Sequence, residues 1–455
     1  MTTPPRDRAA RRSVVGLAAL AATLAAAPAR AQLPTGTVPA SESRNSDAAL
    51  EAFRDMALGL FIHWSVDVQY GAVISHSLVG SDDAYQQRFF NELPKTFNPV
   101  RYDPSRWLEL ARACGFRYTM LTVKHHSGFC LWPTETTPFS IAGTPYGEDL
   151  VGPFAEACRE HNLKLGFYFS PEDFWVLHTQ GRPIAREPSH GYTQPSQNPE
   201  LEKHNERQIA ELHDRYGPVD LWFFDGKEPP ATLKTMVWDA NPDTVVTRGA
   251  LETPEQTLGD AISDQPWEAC FTLGGQWQHR GTNETYKDGG EVIQLLIETR
   301  AKGGNLLLNI GPDAYGAIPE PCDALLRELG LWLFVNGEAI YQARPWRVAN
   351  EGDVWFTRAE DGSAVYLFLT GQGQWPLGDR RQFSLSSVRL SEESELSVLG
   401  HGGDVLEYEP DADPGVHAEQ DRDTLKLSVM RAQRLYNDRT WPNPIVVKIT
   451  HPETP

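Results

Sequence analysis

LWFFDG, residues 221–226, starts as four large apolar side chains and ends on a carboxylate and a glycine. A run that apolar is covered on both faces, as strands are in parallel sheets flanked by helices. An acid at its C-terminal end then stands where an α/β barrel opens its mouth. Working outward, the chain offers six comparable runs: GLFIHWSV (59–66), FRYTMLTVK (116–124), KLGFYFS (164–170), TVVTR (244–248), ACFTLG (269–274) and NLLLNIG (305–311). Between them lie segments of helical period, among them 103–115, 147–162, 200–217 and 291–304. Such alternation over residues 45–345 predicts parallel strands with helical crossovers. Seven strands are one short of a closed barrel, so the eighth is expected in an irregular region. No GxGxxG follows an early strand, which favours a (β/α)8 TIM barrel over an open doubly wound sheet.

The flanks read differently. After Pro345 come VWFTR (354–358), AVYLFLT (364–370), SVRL (387–390), LSVLG (396–400), TLKLSV (424–429) and IVVKIT (445–450), broken by turn dipeptides. These predict an all-β sandwich over residues 346–455, following a catalytic barrel over 32–345. Its Trp375, Tyr436 and Trp441 are expected to be buried. Arg11 and Arg12 precede an apolar stretch, Val14–Ala27, and Ala29-Arg30-Ala31 fits a cleavage site, so residues 1–31 read as a secretory signal compatible with twin-arginine export. The expected location is therefore exported, periplasmic or extracellular, in a bacterium. No later segment is apolar enough to span a membrane. Sixty-one acidic against 41 basic residues give −20, which argues against nucleic acid as a partner. Five cysteines, an odd number without a CxxC, argue against a disulfide framework.

Chemistry is expected at the strand ends. They carry His63-Trp64, Lys124-His125-His126, Tyr168, Asp225 and Arg248, with Glu268 just before the sixth strand. Aromatic rings beside histidines and acids suit a sugar, which stacks its C–H face and needs fixed partners for its hydroxyls. Two carboxylates suit glycoside hydrolysis. Asp225, on a strand end, is expected as nucleophile. Glu268, beside Trp267, is expected as general acid/base, because an apolar surround raises a carboxyl pKa. Glu172 and Asp173 are next in line. His125 and His126 are adjacent, and strand neighbours face opposite ways, which argues against a shared metal ion.

The words GLFIHWS (59–65), TVKHHSGFCLWPT (122–134), GFYFSPEDFW (166–175), LWFFDG (221–226), WEACFTLGGQW (267–277), GGNLLLNIGP (303–312) and FVNGEAIYQARPW (334–346), in this order, resemble those of the α-L-fucosidases of glycoside hydrolase family 29. The resemblance implies a barrel with a C-terminal β-sandwich, retaining double displacement, no metal and no organic cofactor. It also implies a fucosylated oligosaccharide or glycoconjugate as substrate. By position it makes Asp225 the nucleophile and Glu268 the acid/base. His63, His125, His126, Tyr168 and Arg248 would hold hydroxyls, with Trp64 beside them, and Trp132 and Trp277 would shape a wall at the C6 methyl. Three departures bear on sugar preference. Ser127 replaces an acid, Phe223 stands where a tryptophan is usual with Trp222 one place early, and a Glu-Trp-Tyr word is missing, with Asp83-Ala84-Tyr85 its nearest counterpart. An α-L-galactosidase on the same scaffold, and a non-catalytic carbohydrate-binding protein, are the alternatives.

Overall fold

The computed structural model describes residues 43–185, 193–226, 229–371, 375–401, 411, 413–432 and 443–453. The signal-like segment, Tyr436 and Trp441 lie outside them. Seven strands, β1 (Leu58–Ile62), β2 (Tyr118–Lys124), β3 (Gly166–Phe169), β4 (Leu221–Phe224), β5 (Val245–Val246), β6 (Glu268–Thr272) and β7 (Asn305–Ile310), form one curled sheet. Their order is β5-β4-β3-β2-β1-β7-β6, and every neighbouring pair is parallel. All seven expected runs become strands, and every residue in them is buried.

The eighth position is improvised. Between β5 and β6 the chain makes no helix among these residues; it runs back beside β6 in extended form. The Glu268 and Cys270 amides donate to the carbonyls of Glu252 and Pro254 (both 3.1 Å), and the Gln256 amide donates to the Cys270 carbonyl (3.0 Å). Across the other side of this seam, the Arg248 guanidinium donates to the Thr253 carbonyl (3.1 Å). A side chain thus finishes what backbone pairing leaves open.

Alternation along each strand sorts the side chains. Phe61, Tyr118, Met120, Tyr168, Leu221, Phe223, Val245, Cys270 and Leu307 fill the barrel interior, and Phe53 of the helix Asp47–Met56 joins them from below. Their strand neighbours, such as Trp222, Phe224, Leu306 and Leu308, face outward into the larger core beneath the helices. The helices start where their caps predict: Asp103, Asn198 and Asp288 each accept a first-turn amide, and Glu291 closes a capping box on Asp288.

The C-terminal part opens with β8 (Ala343–Glu351), followed by β9 (Val354–Ala359), β10 (Ala364–Leu369), β11 (Arg380–Leu385), β12 (Leu396–Val398), β13 (His417–Asp421), β14 (Thr424–Met430) and β15 (Ile445–Thr450). They make two antiparallel sheets, β12-β15-β10-β9-β8 and β11-β14-β13. β8, β11 and β13 escape the sequence reading because all three are edges, where a proline or a run of charged residues is tolerated. SVRL is no strand; only Leu390 makes a bridge. Trp375 is buried in the core of these sheets, as expected. The other face of β10 packs into the barrel's outer core, where Trp332 also donates to the Pro444 carbonyl (2.7 Å).

Candidate active site

β4 delivers Asp225 to the barrel mouth. Gly226 has φ +107°, a conformation that favours glycine, and its amide turns back to donate to Asp225 Oδ1 (2.7 Å). Arg248 Nη1 donates to the same oxygen (3.1 Å). The Tyr168 hydroxyl donates to Oδ2 (2.5 Å), and His126 Nε2 lies 3.3 Å from it. Burial alone would push the carboxyl pKa up. The contacts with His126, Arg248 and Tyr168 outweigh it and hold Asp225 well below the usual carboxylate range. It is therefore an ionised group at neutral pH, with its charge fully hydrogen-bonded.

The rings around it brace one another. His125 stacks on Tyr168 at 5.4 Å between centroids, and Tyr168 stacks on Phe223 at the same distance. His63 Nδ1 is 2.6 Å from Asn309 Oδ1, and burial takes its pKa down to about 3, so the ring is neutral. Trp277, on the loop after β6, is part exposed and leans over His63 at 4.8 Å. Asn309 at the end of β7 was not foreseen, although it obeys the same strand-end rule; its amide also holds the Trp277 carbonyl (2.6 Å).

His63, His125, His126, Tyr168, Arg248 and Trp277 thus gather around Asp225. The other expected residues do not. Glu268 is the first residue of β6, so it faces the floor of the barrel rather than its mouth. It has no solvent exposure and accepts a hydrogen bond from the Tyr118 hydroxyl (2.7 Å). Burial raises its pKa to about 7 against the pull of Tyr118, Thr247 and Arg248. Its raised pKa was anticipated, but its place was not. Trp64 points away from His63 into the outer core, against Phe97, Tyr102 and Trp107. Trp132 is equally buried there and donates to Glu211 (3.0 Å). Phe223 is 1% exposed and lies beneath the Arg248 guanidinium (4.7 Å), so it is floor rather than wall. Asp173 caps the helix Phe174–Thr179 and pairs with Lys124 (3.2 Å), which commits it to structure. Glu172 is 4% exposed and holds Gln194 (3.1 Å).

Two further expectations change. The adjacency argument for His125 and His126 fails, because β2 ends at Lys124 and the turn swings both rings inward, 4.3 Å apart. A ring nitrogen of each and an Asp225 oxygen lie within 4.8 Å of one another. The Asp225 oxygens are nonetheless occupied by Arg248, Tyr168 and the Gly226 amide. Asp83-Ala84-Tyr85 opens the helix Asp83–Asn91, where the Tyr85 hydroxyl donates to Ser77 (2.8 Å); the segment that reaches the site is Ser75-His76, whose imidazole stands edge-on to His126 (5.6 Å).

A carboxylate that the sequence reading passed over does reach the mouth. Glu255 ends the improvised eighth segment, is one-third exposed, and accepts from Arg248 Nη1 (3.2 Å), the same nitrogen that holds Asp225. Two carboxylate oxygens sharing one nitrogen at these lengths lie no more than about 6.3 Å apart, which is compatible with the roughly 5–5.5 Å of a retaining pair. The five cysteines are free and buried. Among the described residues no helix is long and apolar enough to cross a membrane.

The "Alpha-L-fucosidase" family model matches residues 24–338. The chain belongs to the α-L-fucosidase family. It is 28% identical to a tissue α-L-fucosidase of Rattus norvegicus, over 91% of this chain and 97% of the relative. An α-L-fucosidase of Branchiostoma floridae is 30% identical over 76% and 84%. Among solved structures, α-L-fucosidase isoenzyme 1 of Paenibacillus thiaminolyticus superposes with a TM-score of 0.72 at 25% identity, covering 91% of this chain and all of that one. The chain is thus an α-L-fucosidase-type glycoside hydrolase of family 29, and fucosylated substrates are implied.

Proposed function

We propose that this α-L-fucosidase works by double displacement, with Asp225 as nucleophile and Glu255 as general acid/base. The observation that carries the pair is the single Arg248 nitrogen between the two carboxylates. In the first step an Asp225 oxygen attacks the anomeric carbon while Glu255 protonates the departing glycosidic oxygen, giving a fucosyl ester and the free aglycone. In the second, Glu255 takes a proton from water, whose oxygen attacks the same carbon and releases the Asp225 carboxylate. Asp225 suits attack because it is ionised and fixed by donors from Tyr168, Arg248 and the Gly226 amide. Glu255 suits proton exchange because it is the solvent-facing member. His63, His125, His126 and Tyr168 line the position a sugar ring would take, and Trp277 offers a part-exposed apolar face.

Azide separates the two roles. Asp225→Gly lacks the nucleophile, so azide should attack a fucosyl fluoride or aryl fucoside directly and yield the inverted β-L-fucosyl azide. Glu255→Ala should still form the ester from a substrate with a good leaving group, and azide should then yield the retained α-L-fucosyl azide. Each variant should lose roughly 10³–10⁴-fold in turnover of an unactivated fucoside. An inverted product from Glu255→Ala, or no azide adduct from either variant, would remove the assignment.

A further inference from the structure

Ser75 sits in a conformation that serine normally avoids. Its φ is +58° and ψ is −30°, in a turn so tight that the His76 amide reaches the Ile74 carbonyl at 2.6 Å. A non-glycine residue there costs about 1–3 kcal/mol, and a glycine would avoid most of it. The residue is also fully buried. Strain of this kind at a buried position next to a reaction centre calls for an account of what the side chain does.

The atoms of Ser75 are all engaged. Its amide donates to Asp67 Oδ2 (2.7 Å). Its hydroxyl oxygen accepts from the Ser127 amide (2.8 Å) and lies 2.8 Å from His125 Nδ1. A hydroxyl has one proton to give. Among the described residues the sole acceptor in hydrogen-bond reach of that proton is His125 Nδ1. Were His125 instead to donate from Nδ1, the serine proton would be buried with no acceptor, an expensive arrangement. Burial, with His126, His63 and His76 around it, holds the His125 ring well below the usual imidazole range, so the ring is neutral and carries a single proton. If Nδ1 accepts, that proton is on Nε2.

At His126 the Nδ1 contact runs the other way. Ser170 Oγ donates to the Glu172 carbonyl (2.9 Å), so it has only lone pairs left for His126 Nδ1, 2.5 Å away. One serine gives a proton to its histidine and the other takes one.

We propose that Ser75 is a positioning residue that acts through His125: its hydroxyl fixes the Nε2–H form of that ring, so that His125 offers a donor to a hydroxyl oxygen of the bound sugar. The inference rests on the functional reading above for what the donor meets, though not for the tautomer itself. It also explains why a serine is kept where the backbone would favour glycine: the turn aims the hydroxyl, and the hydroxyl selects the proton.

Two measurements test it. Nitrogen-15 NMR of the wild-type protein, with the His125 ring identified by its loss in His125→Asn, should show Nδ1 as the unprotonated nitrogen and Nε2 as the protonated one. A protonated Nδ1 would overturn the proposal. In kinetics on an aryl α-L-fucoside, Ser75→Ala keeps the strained turn and removes the hydroxyl, whereas Ser75→Gly keeps the turn without its strain and also lacks the hydroxyl. Both should lose about tenfold to a hundredfold in kcat/KM, as expected for one lost partner of a buried polar group. Ser75→Gly should melt no lower than Ser75→Ala. A Ser75→Gly enzyme within twofold of wild type would show that the turn alone matters and would sink the idea. If the wild type hydrolyses no fucoside, the functional reading fails, and the spectrum still decides the tautomer.

Discussion

Asp225 and Glu268 are two carboxylic acids inside one barrel, and they are kept in opposite states. Asp225, at the mouth, receives donors from Tyr168, Gly226 and Arg248, with a His126 ring nitrogen alongside, and stays ionised. Glu268, on the floor, accepts a hydrogen bond from Tyr118 and is pushed up to about 7 by burial, which the pull of Tyr118, Thr247 and Arg248 does not offset. Asp225 keeps 18% side-chain exposure at the mouth and Glu268 has none, so burial weighs more heavily on the floor. The two also differ in the number of donors that charge can be shared with. A mouth built to use a negative charge supplies them, and a floor built to seal the barrel does not.

Replacing Arg248 by Met attacks the charged end and should have the largest effect. It removes a donor from Asp225 and Glu255 together and loosens the seam, so kcat/KM should fall roughly a hundredfold to a thousandfold. In the proposed mechanism turnover needs Asp225 ionised, and Arg248 helps to hold its pKa down. Without it the acidic limb of the kcat/KM profile should move to higher pH; an unmoved limb would show that His126 and Tyr168 suffice.

Replacing Glu268 by Gln tests the neutral end. A carboxyl whose folded pKa is raised stabilises the fold fully below its ordinary value near 4.5, and that stability is lost as pH rises through about 7. The loss amounts to about 3 kcal/mol by pH 8. Glutamine cannot ionise, so denaturant midpoints of Glu268→Gln should decline less than wild type between pH 5 and 8, with turnover within about twofold. Parallel pH slopes would contradict the neutral assignment, and a folded but inactive variant would return Glu268 to the chemistry. The smallest effect belongs to Trp132→Phe, which deletes the hydrogen bond to Glu211 in the outer core. About 1 kcal/mol of stability should go, with KM unchanged. A raised KM would put that ring back beside the sugar.

How much of this was legible depended on direction and face. The seven parallel strands showed plainly, because strands covered on both sides must be apolar throughout. The strand-end rule then found His63, Tyr168, Asp225 and Arg248. It failed at Glu268 for a geometric reason: the rule applies to the C-terminal end of a strand, and Glu268 opens β6. Trp64 and Trp132 were misplaced because an aromatic ring suits a core as well as a sugar, and Trp64 is the outward-facing neighbour of an inward-facing histidine. Glu255 hid in the one stretch without strand-like periodicity, since 252–256 makes its pairing with β6 alone. Ser75 left no signal, because a left-handed turn at a serine is imposed by its surroundings rather than by its own preference.

The arginine at the seam acquires a further meaning when the proposed reaction is followed through. In the resting enzyme one Arg248 nitrogen lies 3.1 Å from Asp225 and 3.2 Å from Glu255. Once Asp225 becomes an ester its negative charge is gone, and the guanidinium has Glu255 as its remaining anionic neighbour. That is the moment when Glu255 has given up its proton and must act as a base. The arginine thus works as a balance arm, tilting towards whichever carboxylate carries the charge at that stage. Because the same side chain also fastens the wall between β5 and β6, the group that serves both carboxylates is anchored by the seam itself.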